Sequence, residues 1–247
     1  MKKFKLGLTL FVLGLLGVLT LLTATLPLAD LQEQFPGKSL FAIKLIMLIN
    51  PTIFLLIAVL VGTALYDKVN LTVPTISSLL RIGNPQISFT QQLKSGVSLG
   101  LLAGICITCI ALIFELFISE ELKAIESQFK PSLLARFCYG GVVEELLLRF
   151  GFMTFVVWII SKLTRRLHNI TYWIGIVLST TLFAIGHFPV TFASVSDPSF
   201  LLLTYVFVGN SVGGLIFGWL YWKKGLEAAC VAHMFAHVAM VSIELFL

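Results

Sequence analysis

Long apolar runs separated by short polar loops set the plan of this chain. The first, residues 6–28, follows the basic start Lys2-Lys3-Phe4-Lys5. Further runs cover 40–66, 97–118, 132–160, 170–187 (with room to extend to 193), 200–222 and 226–247. A helix of about 20 apolar residues crosses a hydrocarbon core, so the pattern predicts an all-α, polytopic membrane bundle of about seven transmembrane helices. A cleaved leader shares the basic start but has an apolar core of only about 7–15 residues. The first run is longer and reads as a transmembrane helix. Asn50-Pro51 inside the second run removes a backbone donor and predicts a kink. The polar connection 67–94 contains residues 73–81, which fit a short amphipathic helix on the membrane surface. Residues 120–126, after the third run, are charged on one side and read as a solvated turn of helix.

Composition supports this plan. The 247 residues are 58% hydrophobic and 12% charged, with a mean hydropathy of +1.00, whereas soluble domains carry about 25% charged residues. The net charge of +5 gains meaning from its distribution. With the N-terminus in the cytoplasm, eleven of the seventeen basic residues fall in inner loops. Only Lys38, Lys123 and Lys130 fall in outer ones, while Lys44, Arg136 and Arg149 lie in or near spans. The positive-inside rule then predicts a cytoplasmic N-terminus and an external C-terminus. No basic stripe with interleaved aromatics occurs, so nucleic acid is not an expected partner. Cys106, Cys109, Cys138 and Cys230 all sit in apolar runs, where a thiol serves as a small apolar residue. Neither structural disulfides nor a redox role for Cys106-x-x-Cys109 is predicted.

The fourth run breaks the rule that membrane spans avoid charge. Gly140-Gly141-Val142-Val143-Glu144-Glu145-Leu146-Leu147-Leu148-Arg149 puts two carboxylates and a guanidinium into it, and one such charge at mid-bilayer costs at least about 2.5–3.5 kcal/mol. Glu145 and Arg149, four apart, share a helix face and can pair. Glu144, rotated by about 100° from Glu145 on an α-helix, is left for a different partner. A desolvated glutamate without its own cation suits general acid–base work.

Histidine is scarce, and three of the four lie in or at the end of apolar runs: His187, His233 and His237. His233 and His237 are four apart and share a face, whereas His168 sits in a basic loop and reads as solvated. Three imidazoles and an unpaired glutamate are the donor types that bind Zn²⁺. They are equally the types that activate water and stabilise an oxyanion without metal. Gly209-x-x-x-Gly213 and Gly214-x-x-x-Gly218 in the sixth run favour close helix contact. Asn210 either lines a cavity there or bridges helices.

Glu144-Glu145-x-x-x-Arg149, Phe183-x-x-x-His187, and Gly214-Leu-Ile-Phe-Gly218 running through Gly225-Leu226-Glu227 to His233-x-x-x-His237 together resemble the CPBP intramembrane proteases. That family includes type II CAAX prenyl endopeptidases and bacteriocin-processing or immunity proteins. The resemblance covers about residues 132–237 and divides the chain into N-terminal helices with an amphipathic loop, 1–95, and a catalytic helical core, 96–247, within one membrane domain. It implies an endopeptidase acting on membrane-associated, lipidated or peptide substrates, integral to a bacterial cell membrane. Glu144 and His187 would activate water, with Glu145 and Arg149 as positioning residues. His233 and His237 would stabilise the oxyanion or, with His187 and Glu144, bind Zn²⁺; no other cofactor is implied. The chain departs from the family where His237 replaces the usual Asn or Asp. A non-proteolytic immunity or partner-binding protein built on the same core is the alternative.

Overall fold

The computed structural model describes residues 2–24, 35–83, 86–128 and 131–246. The end of the first predicted span at 25–28, most of the loop 30–38 and Lys130 lie outside the described residues. Ten helices follow in order: α1 (Lys2–Leu19), α2 (Leu40–Met47), α3 (Ile49–Leu65), α4 (Pro74–Leu79), α5 (Phe89–Gln128), α6 (Leu133–Thr164), α7 (Asn169–Ile185), α8 (Phe188–Ser194), α9 (Phe200–Lys224) and α10 (Leu226–Glu244). Among the described residues there is no strand, and seven helical spans are long and apolar enough to cross a membrane. The chain is a polytopic all-α bundle. Its outer face carries large exposed apolar side chains such as Phe54, Leu116 and Phe200, as a surface against lipid tails requires.

Two prolines place the breaks. Pro51 has no N–H for the carbonyl of Met47 and its ring crowds that oxygen; α2 ends at Met47 and α3 begins at Ile49. Pro189 stands in the same relation to Ile185, where α7 ends. The fifth span therefore continues as a second short helix, α8, and His187 occupies the break between the two. Helix α5 differs from its expected form. The span at 97–118 and the solvated turn at 120–126 are one helix of 40 residues, bent at Ile118, whose φ of −129° and ψ of 28° are non-helical. At about 1.5 Å per residue it extends about 60 Å, twice a hydrocarbon core, so its acidic end projects beyond the apolar belt. Its start is a reciprocal cap: Gln91 N–H donates to Ser88 Oγ, and Ser88 N–H to Gln91 Oε1.

Small residues bring α5 and α10 together. Gly96, Gly100 and Gly104 lie one turn apart and face Ala228, Ala232 and Ala236, a small-xxx-small seam that sets where α10 holds its histidines. A Cβ on Gly100 would come within 2.8 Å of Ala232 Cα. Gly100→Val should therefore lower thermal stability by about 1–3 kcal/mol, the usual cost of overpacking, and Gly100→Ala by less, as read by melting of the detergent-solubilised protein. On α9 only part of the glycine pattern works as expected. Gly214 and Gly218 abut Thr180 and Ile176 of α7, while a Cβ on Gly209 would meet open space. Asn210 does not bridge helices; its amide donates to the carbonyl of Val206 in its own helix.

One end of the bundle is tied by polar contacts. Lys3 Nζ lies 2.7 Å from Asp67 Oδ1, Leu226 N–H donates to the Thr72 carbonyl, and Glu227 accepts from Ile76 N–H and Gln92 Nε2. Gly225 makes the turn between α9 and α10 at φ +91°, and a side chain there would collide with Pro74. The expected amphipathic segment is thus α4, and it packs against the end of α10.

Candidate active site

Helix α6 is not a plain α-helix. Arg136–Glu144 and Leu146–Met153 are π-helical, with i→i+5 bonding and wider turns. Such segments recur at functional sites because they re-aim side chains. Gly140 and Gly141 in the first segment are buried. A Cβ on Gly140 would stand 3.0 Å from His237 Nε2 and 3.5 Å from His233 Nε2. Both imidazoles thus aim Nε2 at the α6 backbone just ahead of the two glutamates.

The two carboxylates have different surroundings. Glu145 is fully buried: Oε2 lies 3.2 Å from Arg149 Nε and Oε1 2.8 Å from His233 Nδ1. Arg149, also fully buried, donates from Nη2 to the Gly214 carbonyl at 3.2 Å. Its guanidinium lies over Phe183 and Phe217, 4.9 Å and 5.6 Å from the ring centroids, a cation–π sandwich that supplements the ion pair. Glu144 keeps 20% of its side-chain surface exposed, and the nearest basic side-chain nitrogen is His233 Nε2 at 3.8 Å. The paired Glu145 and the freer Glu144 are as the helix spacing implied; the bond from His233 to Glu145 is an addition.

His233 is held between rings, with Phe217 stacked at 4.7 Å, His237 at 5.1 Å, and Phe183 edge-on at 5.9 Å. His237 Nδ1 is buried without a hydrogen-bond partner among the described residues. His187, in the break after α7, has Nδ1 2.8 Å from the Phe183 carbonyl. That contact makes Nδ1 the protonated nitrogen and leaves Nε2 as an acceptor.

Glu144 and His187 open onto the same cavity, of about 700 Å³. The seam between α6 and α7 forms two of its walls, and Phe54, Ile57, Ala58 and Val61 of α3 form a third. Among the described residues, Tyr139, Glu144 and His187 carry the polar side-chain atoms of its lining. His233 and His237 stand behind Glu144 and take no part in that lining.

No three His, Cys, Asp or Glu side chains among the described residues stand close enough together to hold a metal ion. The expected ligand set of His187, His233 and His237 with Glu144 is not assembled as a tetrahedral cage. His187 is turned to the Phe183 carbonyl and His233 to Glu145, so these residues do not fit a zinc ion as they stand. Of the aromatic residues at the site, Tyr139 belongs to none of the sequence motifs, whereas Phe183 and Phe217 lie within Phe183-x-x-x-His187 and Gly214-Leu-Ile-Phe-Gly218. Neither motif signals that the two rings enclose the Arg149 guanidinium.

Comparison with known proteins gives one family. Residues 126–239 match the model described as Type II CAAX prenyl endopeptidase Rce1-like, a segment that holds Glu144, Glu145, Arg149, His187, His233 and His237. Searches of curated proteins and of solved structures returned no match. The α3 wall of the cavity lies outside the matched segment. With its seven apolar spans, the chain is an integral membrane protein whose segment 126–239 is similar to the Rce1-like type II CAAX prenyl endopeptidases, consistent with the CPBP proteases.

Proposed function

We propose that the protein is an intramembrane endopeptidase that uses a glutamate-bound water. The observation that carries this reading is the shared apolar cavity of Glu144 and His187. A water between them meets two acceptors, a Glu144 carboxylate oxygen and His187 Nε2, and turns a lone pair toward a substrate carbonyl. As its oxygen bonds to the carbonyl carbon, a proton passes to Glu144 and the carbonyl oxygen becomes an oxyanion. Collapse of that intermediate breaks the C–N bond, and protonated Glu144 returns the proton to the leaving amine. Arg149 and Glu145 hold His233 in place behind Glu144, where its Nε2 and that of His237 face the α6 backbone. The substrate is a membrane-associated peptide whose apolar or lipidated portion lies against the α3 wall.

The test is cleavage of a farnesylated, internally quenched CAAX peptide by purified protein, with metal analysis of the same sample. Cleavage is expected to survive exhaustive chelation in protein that carries no stoichiometric zinc. Loss on chelation with recovery on adding Zn²⁺ would replace the glutamate–water reading by a metal one. No cleavage in either state would overturn the endopeptidase reading.

A further inference from the structure

An oxyanion needs a donor that is free to donate, and the donors of the cavity can be counted. His187 has its Nδ1 proton on the Phe183 carbonyl, so Nε2 accepts. His233 has Nδ1 on Glu145 and lies outside the cavity lining. The backbone N–H groups of the two break residues that line the cavity are used: Gly186 donates to Leu182 and His187 to Ala184. Glu144 accepts. His237, whose Nδ1 has no partner, lies outside the lining as His233 does, so the one side-chain donor left on the described lining is the phenol of Tyr139, which is half-buried and has no hydrogen-bond partner among the described residues.

Helix geometry puts that phenol beside the chemistry. Tyr139 and Glu144 are five positions apart, which on an α-helix would place them about 140° apart. Both belong to the π-helical segment Arg136–Glu144, where the i→i+5 repeat brings residue 144 one turn above residue 139. The cavity lining contains both. An aromatic ring with one hydroxyl also suits a wall otherwise built of apolar side chains.

We propose, on the reading of Glu144 and His187 given above, that Tyr139 is a further catalytic residue. Its O–H donates to the carbonyl oxygen of the scissile bond and holds the oxyanion that forms there. The hydrogen bond tightens as negative charge develops, so its effect falls on the transition state more than on substrate binding.

Tyr139→Phe keeps the ring and removes only the donor. With the farnesylated CAAX peptide, kcat is expected to fall roughly 100-fold, the usual loss for one oxyanion donor, with KM unchanged. Binding supplies a readout that packing alone would not move. A phosphinate analogue of that peptide, a tetrahedral anion, should bind Tyr139→Phe more weakly by the same factor. Affinity for the intact peptide, measured in a Glu144→Gln background, should stay the same with or without the hydroxyl. Wild-type kcat in Tyr139→Phe overturns the proposal, and so does an equal loss of affinity for analogue and intact peptide. If Tyr139→Phe is fully active while Glu144→Gln is dead, Tyr139 alone has been misassigned. If Glu144→Gln also cleaves, or the wild type does not, the reading of the whole site fails and takes this proposal with it.

Discussion

Glu144→Gln should lower kcat/KM for the farnesylated peptide by roughly 10²–10⁴-fold, the range attributed to a positioned general acid–base group, while leaving thermal stability near wild type. The side chain keeps its length and volume. It opens onto a large cavity with 20% of its surface exposed, and its only ionic neighbour is His233 Nε2 at 3.8 Å. His233 is buried but keeps Glu145 as its closer partner at 2.8 Å, so loss of the Glu144 charge leaves no buried group without a partner. Glu145→Gln is the necessary contrast. It also reduces turnover, because Glu145 fixes both His233 and Arg149, but it must do so with a lowered melting temperature. Two adjacent carboxylates thus separate by which property fails: rate alone for Glu144, rate and fold together for Glu145. Undiminished cleavage by purified Glu144→Gln would end the endopeptidase reading and favour a partner-binding or immunity role for the same core.

That separation was legible before any coordinates, and the reason is local. Glu145 and Arg149 are four residues apart, so their pairing depends only on a helical backbone. The membrane spans were legible for the same reason, since each is a property of its own residues. What escaped was long-range or depended on unusual backbone. The bond from His233 to Glu145 joins residues 88 apart in sequence, and no pattern within either helix encodes it. Tyr139 escaped because α-helical spacing turns it away from Glu144, and nothing in residues 136–144 announces a π-helix. The wall supplied by Phe54, Ile57, Ala58 and Val61 comes from a span whose sequence reads only as apolar.

The position of His187 was ambiguous from span counting, which put it toward one end of a short helix. Pro189 resolves it. The break after Ile185 lets the chain continue as α8 instead of ending, and the Phe183 carbonyl accepts the imidazole proton. In the converse case, the glycines of α9 were conspicuous as a motif while those of α5 were overlooked. Yet Gly96, Gly100 and Gly104 are the ones that seat α10 and its histidines. Spacing identifies a smooth helix face but not the helix that meets it.

Arg149→Met should be the most damaging single change to the fold, destabilising it by about 3–5 kcal/mol, the cost of removing one partner from a buried ion pair. Both members have no exposed side-chain surface. Methionine fills much of the space between Phe183 and Phe217 but leaves the Glu145 carboxylate with His233 as its only partner, removes the donor to Gly214, and ends the cation–π contacts that align α6, α7 and α9. The expected observation is a sharp fall in melting temperature and in the yield of monodisperse protein, with cleavage lost as a consequence. The double variant Arg149→Met, Glu145→Gln tests the cause. With neither charge left in the core, it should recover part of the stability that the single variant loses, and the cycle then measures the coupling between the two residues. If the double variant is as unstable as the two single losses added together, the pair is not coupled, and Arg149 holds the fold through its aromatic and carbonyl contacts alone.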